Sequence, residues 1–576
     1  MARARGALLV AVLVVARGAA SSVHVILTVA DDLGYALAKS DAARDIATPA
    51  IDALRRDGVE LLRHYAHYSC APTRSSLLTG RQPLHVNVEN SAPERSNPLD
   101  PVSGYAGPSL AMTLLAEKLQ PTHATFHVGK WDLGYATANH TPLARGFDHS
   151  IGFFHHYNDA WTAAYDGLDC NATAVDGAWH HKPSNDDDDQ QYFASADTET
   201  TDTTTTPYRD LWQDAAPSPR ALDGATYEDD LFAQRAAAIV AQPRGRPLFL
   251  YYAPHLVHGP YQPPDDYLAN FSDVNTTLRR KMCALVNKLD AAVGAVADAA
   301  RSNASFWDRL AWIFLSDNGG PVVTGDGTGV GASNNYPLRG GKYSPLEGGI
   351  RVRAFVTGGL VPAPRRGTAT AALSAVADWY ATICALANVS AVDDKAAAAS
   401  SGSTTAESSI PPVDSFDLWP AIVGDVVDPH QPQRAEVVIA ATTRDRSAAS
   451  GSGVGPEAIG LVTEDGWKCL APASYAAFWT GPQYPNASSL AMGGAALSAI
   501  ALDCTVHGGC LFNLTADPLE TTDLAATYPD VLVAKLARLA ELNASAFRPD
   551  RGAADPAPAC AAARDRYGGV FGPWLP

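Results

Sequence analysis

Ser21-Ser22-Val23-His24-Val25-Ile26-Leu27-Thr28-Val29-Ala30 runs straight into Asp31-Asp32-Leu33-Gly34-Tyr35. The run is mostly β-branched and apolar with little alternation, which predicts a strand buried on both faces of a parallel sheet. Asp31 and Asp32 then stand at its C-terminal end, where open α/β sheets place their ligands. Thr48-Pro49-Ala50-Ile51 opens a helix, with Thr48 as N-cap and Pro49 in the first turn.

The strand-then-polar pattern returns. Arg246 to Tyr252 leads into Ala253-Pro254-His255-Leu256-Val257-His258-Gly259-Pro260, and Leu310 to Leu315 leads into Ser316-Asp317-Asn318-Gly319. A shorter case, Ala124 to Val128, leads into Gly129-Lys130-Trp131. Between them, Tyr227 to Ala241 and Leu278 to Arg301 carry apolar residues at helical spacing. Alternating strands and helices predict an α/β fold, a large mixed but mostly parallel sheet sandwiched by helices.

After Trp419-Pro420 the composition changes. Glu436 to Ala441, Ala458 to Val462, Trp467 to Ala471 and Leu511 to Leu514 read as short strands, followed by a helix from Pro529 to Asn543. The expected division is a leader at 1–20, a catalytic domain at 21–425 and a smaller α+β domain of antiparallel strands and a helix at 434–576. Ser184 to Thr206, with four consecutive aspartates, and the Ala/Ser/Thr-rich Ala396 to Ser409 read as mobile insertions.

At 576 residues the chain exceeds the size at which one core stops growing. Its formal charge of -18 argues against a nucleic-acid partner. The same charge repels anionic small molecules, so any anion site must be a local positive pocket. Arg3 and Arg5, the apolar stretch Ala7 to Ala16, and the small pair Gly18 and Ala20 read as a secretory signal. No stretch is long and apolar enough to span a membrane. Export fits N-x-S/T acceptors running from Asn139 to Asn543. It implies a secreted protein or one delivered to a lysosome- or vacuole-like compartment. Cys504 and Cys510 flank a short turn with two glycines and are the expected disulfide.

Asp31, Asp32, Asp317 and Asn318 offer hard oxygen ligands, which suit calcium or magnesium and not zinc. Three carboxylates and an amide leave an irregular shell, favouring calcium. Taken alone, Asp31-Asp32 also reads as a helix cap, and Ser-Asp-Asn-Gly as a turn.

Cys70-Ala71-Pro72-Thr73-Arg74, followed by Ser75-Ser76-Leu77-Leu78-Thr79-Gly80-Arg81, resembles the modification signature of the type I sulfatases. With the acidic strand ends, the chain is similar to that family, of the alkaline phosphatase superfamily and near its arylsulfatase B branch. The similarity runs from about Val23 to Ile422, with a family-like ending at Leu511 to Leu524. The resemblance implies an alkaline phosphatase-like fold and oxidation of Cys70 to formylglycine (3-oxoalanine) by a formylglycine-generating enzyme. It implies one calcium ion held by Asp31, Asp32, Asp317 and Asn318, with residue 70 completing the shell. Arg74 would orient and support the oxidised side chain, since a guanidinium with fixed donors suits that role.

Three further segments match. Lys130, in Gly129-Lys130-Trp131, would bind a sulfate oxygen, and Lys342, in Gly340-Gly341-Lys342-Tyr343-Ser344-Pro345, is the second such lysine. His258, before Gly259-Pro260-Tyr261-Gln262, matches the substrate-side histidine, with His255 as a competitor. Singly, each lysine also reads as a solvated surface residue. The family's Gly-Lys-Trp-His-Leu-Gly is here Gly129-Lys130-Trp131-Asp132-Leu133-Gly134. Asp132 can replace that histidine as a base, provided burial or neighbours raise it from ~4 toward neutral pH.

The implied activity is hydrolysis of sulfate monoesters, aryl or carbohydrate. The alternatives are a phosphomonoester or phosphonate hydrolase of the same superfamily, and a catalytically silent protein that binds sulfated glycans.

Overall fold

The computed structural model describes residues 23–37, 46–90, 93–165, 167–168, 170, 208–218, 222–324, 329–401, 410–424, 434–441 and 457–576. The expected leader, the insertion at 184–206 and the acceptor Asn171 lie outside them. The His24–Ala30 strand sits near the middle of a ten-stranded sheet. It is flanked in parallel by Leu248–Ala253 and Leu310–Ser316. Ala124–Lys130 lies parallel beyond Leu248–Ala253, and His149–Phe153 parallel beyond that. Ala354–Thr357 runs antiparallel on Leu310–Ser316, which makes the sheet mixed as expected.

Successive strand residues go to opposite faces. Ile26, Leu250, Trp312 and Phe314 pack beneath the helices Glu228–Ala241 and Thr277–Arg301. Val25, Leu27, Phe249 and Ile313 pack beneath the helices Cys70–Thr79 and Asp378–Leu386. Each such side chain contributes roughly 1.5–3 kcal/mol by leaving water. With cores on both faces, the polar residues beyond the strands are held rigidly.

Register decides where they go. Ala30 lies opposite Ser316, so Asp31 and Asp317 leave the sheet side by side. Gly129 lies opposite Ala253, which brings Lys130 and the 254–260 segment to the same edge.

Two local expectations are corrected. Thr48 is the N-cap by position, as expected, but makes no side-chain capping bond. The Pro49–Arg56 helix is capped instead by Asp290, whose carboxylate accepts from Ala50 and Ile51 N–H at 3.1 and 2.8 Å. The insertion expected at 396–409 is in part a helix, Asp394–Ser401. Asp393 accepts from the Ala396 N–H at 3.1 Å, and Ala396 is buried against Met112, Ile410 and Phe547. Residues 402–409 lie outside the described residues.

The strands Glu436–Ala441, Glu457–Thr463, Trp467–Leu470 and Cys510–Asn513 form the expected antiparallel sheet. One face is covered by the Pro529–Ala544 helix through Leu532, Leu539 and Leu542. The other packs on Tyr65, Tyr68, Leu346 and Ile350 of the larger part. The chain's end leaves this small sheet. The Pro556–Asp565 helix, Phe571 and Trp574 join the core of the large sheet, and Cys560 is bonded to Cys170. Cys504–Cys510 forms as expected. Cys70, Cys283, Cys384 and Cys469 are buried and lie outside both disulfides. No helix among the described residues is long and apolar enough to cross a membrane.

Candidate active site

Cys70 begins the Cys70–Thr79 helix, all ten residues of which are buried. Its N-terminus carries the positive end of the helix dipole, an environment that favours anions, although the Ala71 N–H there already donates to Asn90 Oδ1 at 3.3 Å. Arg74 follows one turn later on the same face. The helix stops at Gly80, whose φ of 68° and close approach to the Tyr380 ring leave no room for a side chain.

Cys70 Sγ lies 3.6 Å from Asp31 Oδ1 and 3.9 Å from Asp32 Oδ1. Ligand atoms of Asp31, Asp32, Cys70 and His258 all fall within 4.8 Å of one another. Arg74 Nε and Nη2 donate to Asp317 Oδ2 at 3.1 and 2.8 Å, and Nη2 reaches Asp31 Oδ1 at 3.6 Å. Lys130 Nζ donates to Asp31 Oδ2 at 2.8 Å, and Lys342 Nζ donates to Asp32 Oδ2 at 2.9 Å. His258 Nε2 stands 3.1 Å from Lys342 Nζ and 3.5 Å from Asp32 Oδ2. Hydrogen bonds between residues as much as 310 positions apart thus meet at one sheet edge.

Burial and charge together set the titration of the cluster. Burial pushes the Asp31 carboxyl up, yet Lys130, Arg74 and Lys342 together hold it below its ordinary value. Asp32 rises to about 7, chiefly through burial, with Lys342 opposing and Asp31 and Asp317 adding to the rise. Burial and Asp31 raise Asp317 against the pull of Arg74. Burial likewise pushes the Cys70 thiol well above its usual value, and Asp317 adds to this. A thiol acts as nucleophile or ligand in its ionised form, so an unmodified cysteine is badly placed for either task here.

The residues fit a hard cation. Three carboxylates converge, and Asn318 Oδ1 is buried with no hydrogen-bond partner while its Nδ2 donates to Asp32 Oδ1 at 2.6 Å. An unpaired buried carbonyl oxygen costs about 1–3 kcal/mol, which a cation at that oxygen would offset. Asp317 stands somewhat apart, because Arg74 and the Asp32 N–H occupy its two oxygens.

The structure brings every sequence-identified site residue to this edge, and it separates the two histidine candidates. His255 turns away, its Nδ1 3.2 Å from Glu228 Oε2, whereas His258 joins Lys342. Asp132 differs from expectation in one respect. Burial pushes its carboxyl up, but His156 and Lys130 outweigh burial and hold it below the usual value, where a base matched to neutral pH requires a rise. His156 Nδ1 is 2.8 Å from Asp132 Oδ1. Sequence reasoning missed His156 because a second histidine after a strand has no spacing that ties it to position 132.

A model of the Sulfatase family matches residues 23–389. Arylsulfatase J of Mus musculus is 28% identical over 567 residues, covering 96% of this chain and 80% of its own length. Arylsulfatase G of Mus musculus is 29% identical over 394 residues, 64% of this chain and 65% of its own. Among solved structures, Ps i-CgsB in complex with k-i-k-neocarrahexaose is similar in fold, with a TM-score of 0.65 at 22% identity over 93% of this chain and 95% of that one. The matched span runs from the central strand through both lysines and beyond the Asp378–Leu386 helix, so it takes in the whole cluster around Cys70. The chain belongs to the sulfatase family.

Proposed function

We propose that this sulfatase hydrolyses sulfate monoesters, carbohydrate sulfates before aryl sulfates, with Cys70 oxidised to formylglycine and one calcium ion bound. The observation that carries the reading is the position of Cys70. It starts a buried helix within 4 Å of two aspartates, and Asn318, whose Oδ1 has no hydrogen-bond partner, donates from Nδ2 to one of them, Asp32. Oxidised and hydrated, residue 70 supplies a hydroxyl nucleophile that a thiol in this environment does not provide. A calcium ion held by Asp31, Asp32, Asp317 and Asn318 supplies positive charge to the sulfate oxygens.

The chain's own residues do the rest. Arg74 fixes Asp317 and Asp31 around residue 70. Lys130 Nζ and Lys342 Nζ hold sulfate oxygens and spread the charge that builds on them. His258 Nε2, beside Lys342, gives a proton to the departing ester oxygen. Asp132 accepts a proton when sulfate is released. Sulfated carbohydrate is favoured because the similar fold of Ps i-CgsB was solved with k-i-k-neocarrahexaose.

Export through the secretory pathway, to the outside or to a lysosome- or vacuole-like compartment, belongs to the same proposal, as does maturation by a formylglycine-generating enzyme. Exposed acceptors at Asn139, Asn270, Asn303 and Asn388 and the two disulfides support it. The test is a panel of aryl and carbohydrate sulfates, with and without chelation, on protein from a host that oxidises the cysteine. The mass of the tryptic peptide holding Cys70 is read in parallel. Hydrolysis of phosphate or phosphonate esters in preference to sulfates, or glycan binding by protein with an unmodified Cys70, would overturn the reading.

A further inference from the structure

Two tyrosines flank the His258–Lys342 pair, and neither takes part in the steps above. Tyr157 follows the His149–Phe153 strand and is half-buried. Its ring lies nearly parallel to the His258 imidazole, with centroids 6.2 Å apart and 13° between the planes. The buried Tyr165 ring meets it edge-on at 5.4 Å. Tyr343, next to Lys342 in the chain, is half-buried as well. Its ring centroid is 5.3 Å from Lys342 Nζ, so the ring face looks toward the ammonium group and the pocket around it.

Both rings are held by their surroundings. Each chain neighbour of Tyr157 is tied down. His156 is bound to Asp132, as described above, and Asn158 Nδ2 donates to Glu228 Oε1 at 2.7 Å and to the Asp210 carbonyl at 3.1 Å. Tyr343 has a φ of 66°, a backbone rare for a bulky aromatic residue. Such a conformation persists only where the surroundings impose it, and ligand sites are where it concentrates. The Tyr343 N–H donates to the Tyr68 carbonyl at 2.9 Å, and its hydroxyl accepts from Asn90 Nδ2 at 3.4 Å. Asn90 Oδ1 accepts in turn from the Ala71 N–H, which ties Tyr343 to the helix carrying residue 70.

We propose that Tyr157 and Tyr343 are specificity-determining residues that bind the ring of the leaving alcohol, so that the substrate is the sulfate of a pyranose and not of an open-chain alcohol. The idea rests on the sulfatase reading and deepens it. Sulfate held at Lys130 and Lys342 puts its ester oxygen beside His258, and the group on that oxygen then meets the residues around His258 and Lys342. The two half-exposed tyrosines are among them. A pyranose carries weakly positive C–H bonds on its ring faces, and these suit the negative face of an aromatic ring. Covering such a flat, partly apolar surface also removes it from water. An open chain offers no flat face and loses more rotational freedom on binding.

The experiment uses the full, oxidised protein and compares kcat/KM for a pyranose sulfate with kcat/KM for an open-chain alkyl sulfate. Tyr157→Leu and Tyr343→Leu keep bulk but lose the flat face. Each should raise KM for the pyranose sulfate roughly three- to tenfold, lower kcat much less, and lower the pyranose-to-open-chain ratio by the same factor. Tyr157→Phe and Tyr343→Phe keep the face and should restore the ratio to within about twofold of wild type. Inorganic sulfate has no ring to stack, so its inhibition constant should move by less than about twofold in all four variants, which reports an intact sulfate pocket. A measurement without variants covers any that fails to fold. The desulfated pyranose, added to wild-type protein while aromatic protons are saturated, should receive magnetisation at its ring C–H positions. A wild-type preference for the open-chain ester, an unchanged ratio in either folded leucine variant, a loss shared equally by both esters, weakened inhibition by inorganic sulfate, or no transfer to the sugar ring would each overturn the tyrosine pair while leaving the sulfatase reading in place. Wild-type protein with an unoxidised Cys70 peptide and no turnover of either ester would overturn that reading, and the pair's role with it.

Discussion

Replacing Lys468 tests whether the small C-terminal sheet holds the catalytic edge in place. Lys468 is wholly buried, with Nζ 3.1 Å from Glu347 Oε1 and 2.7 Å from Glu520 Oε1. Glu347 also accepts from Tyr65 OH at 3.0 Å, and its N–H donates to Glu520 Oε2 at 2.8 Å. Lys468→Met removes the ammonium and keeps much of the stem. Breaking a buried pair in this way costs about 3–5 kcal/mol, a large share of the ~5–15 kcal/mol that keeps a domain folded. The pH dependence has a definite sign. Burial, the largest cause, pushes Glu520 up to about 7 against the pull of Lys468, where an exposed glutamate sits near ~4.3. A carboxyl raised in the folded state supports stability below the unfolded value, and that support is lost as pH rises through about 7. Removing Lys468 raises Glu520 further. Urea unfolding should therefore show a gap from wild type that is smallest near about pH 5 and largest near about pH 8. Lys468→Met/Glu520→Gln should recover most of it. Turnover should fall before global unfolding, because Glu347 backs the loop that carries Lys342. A gap below ~1 kcal/mol at both pH values, or one of constant size, refutes the reasoning.

Two shorter predictions concern the site itself. Cys70→Ala should abolish sulfate release while changing stability by no more than about 1–2 kcal/mol, since it removes one small buried atom; circular dichroism melts with a turnover assay check both halves. Asn318→Ala removes the orphaned oxygen and should weaken calcium binding by about tenfold or more. The midpoint of melting temperature against added calcium in chelator-treated protein measures this, and an unchanged midpoint would remove Asn318 from the ligand set.

Much of the architecture was legible because the buried strands announce themselves. The Ser21 to Ala30 run and the Leu310 to Leu315 run are mostly apolar stretches leading into acids, and their parallel register does place Asp31 beside Asp317. The disulfide Cys504–Cys510 was readable from a short turn, whereas Cys170–Cys560 spans 390 residues and depends on how the chain's end folds back. Caps were less legible. Thr48 has the residue type of an N-cap, but Asp290 from a distant helix reaches the same N–H groups. The helix at Asp394–Ser401 was hidden because its Ala/Ser/Thr composition looks uncommitted, and order comes from Asp393 and from burial of Ala396. His156 was illegible for the same reason, since only tertiary register sets it against Asp132.

The balance of charge in the cluster ties metal and substrate together. Asp31, Asp32 and Asp317 face Arg74, Lys130 and Lys342, so the side chains alone bring no net positive charge to offset a chain carrying -18. Both lysines are held on aspartate oxygens, and those oxygens are among the proposed calcium ligands. Calcium binding there would release the ammonium groups toward a sulfate and make the pocket positive. Inorganic sulfate and calcium should therefore bind with positive coupling, each raising the other's affinity by one shared factor, of order 5–150. Calorimetric titration of sulfate with and without calcium, and of calcium with and without sulfate, measures that factor twice. Equal sulfate affinity in both states would mean that the lysines never depended on the cation, and the charge argument would fail with it.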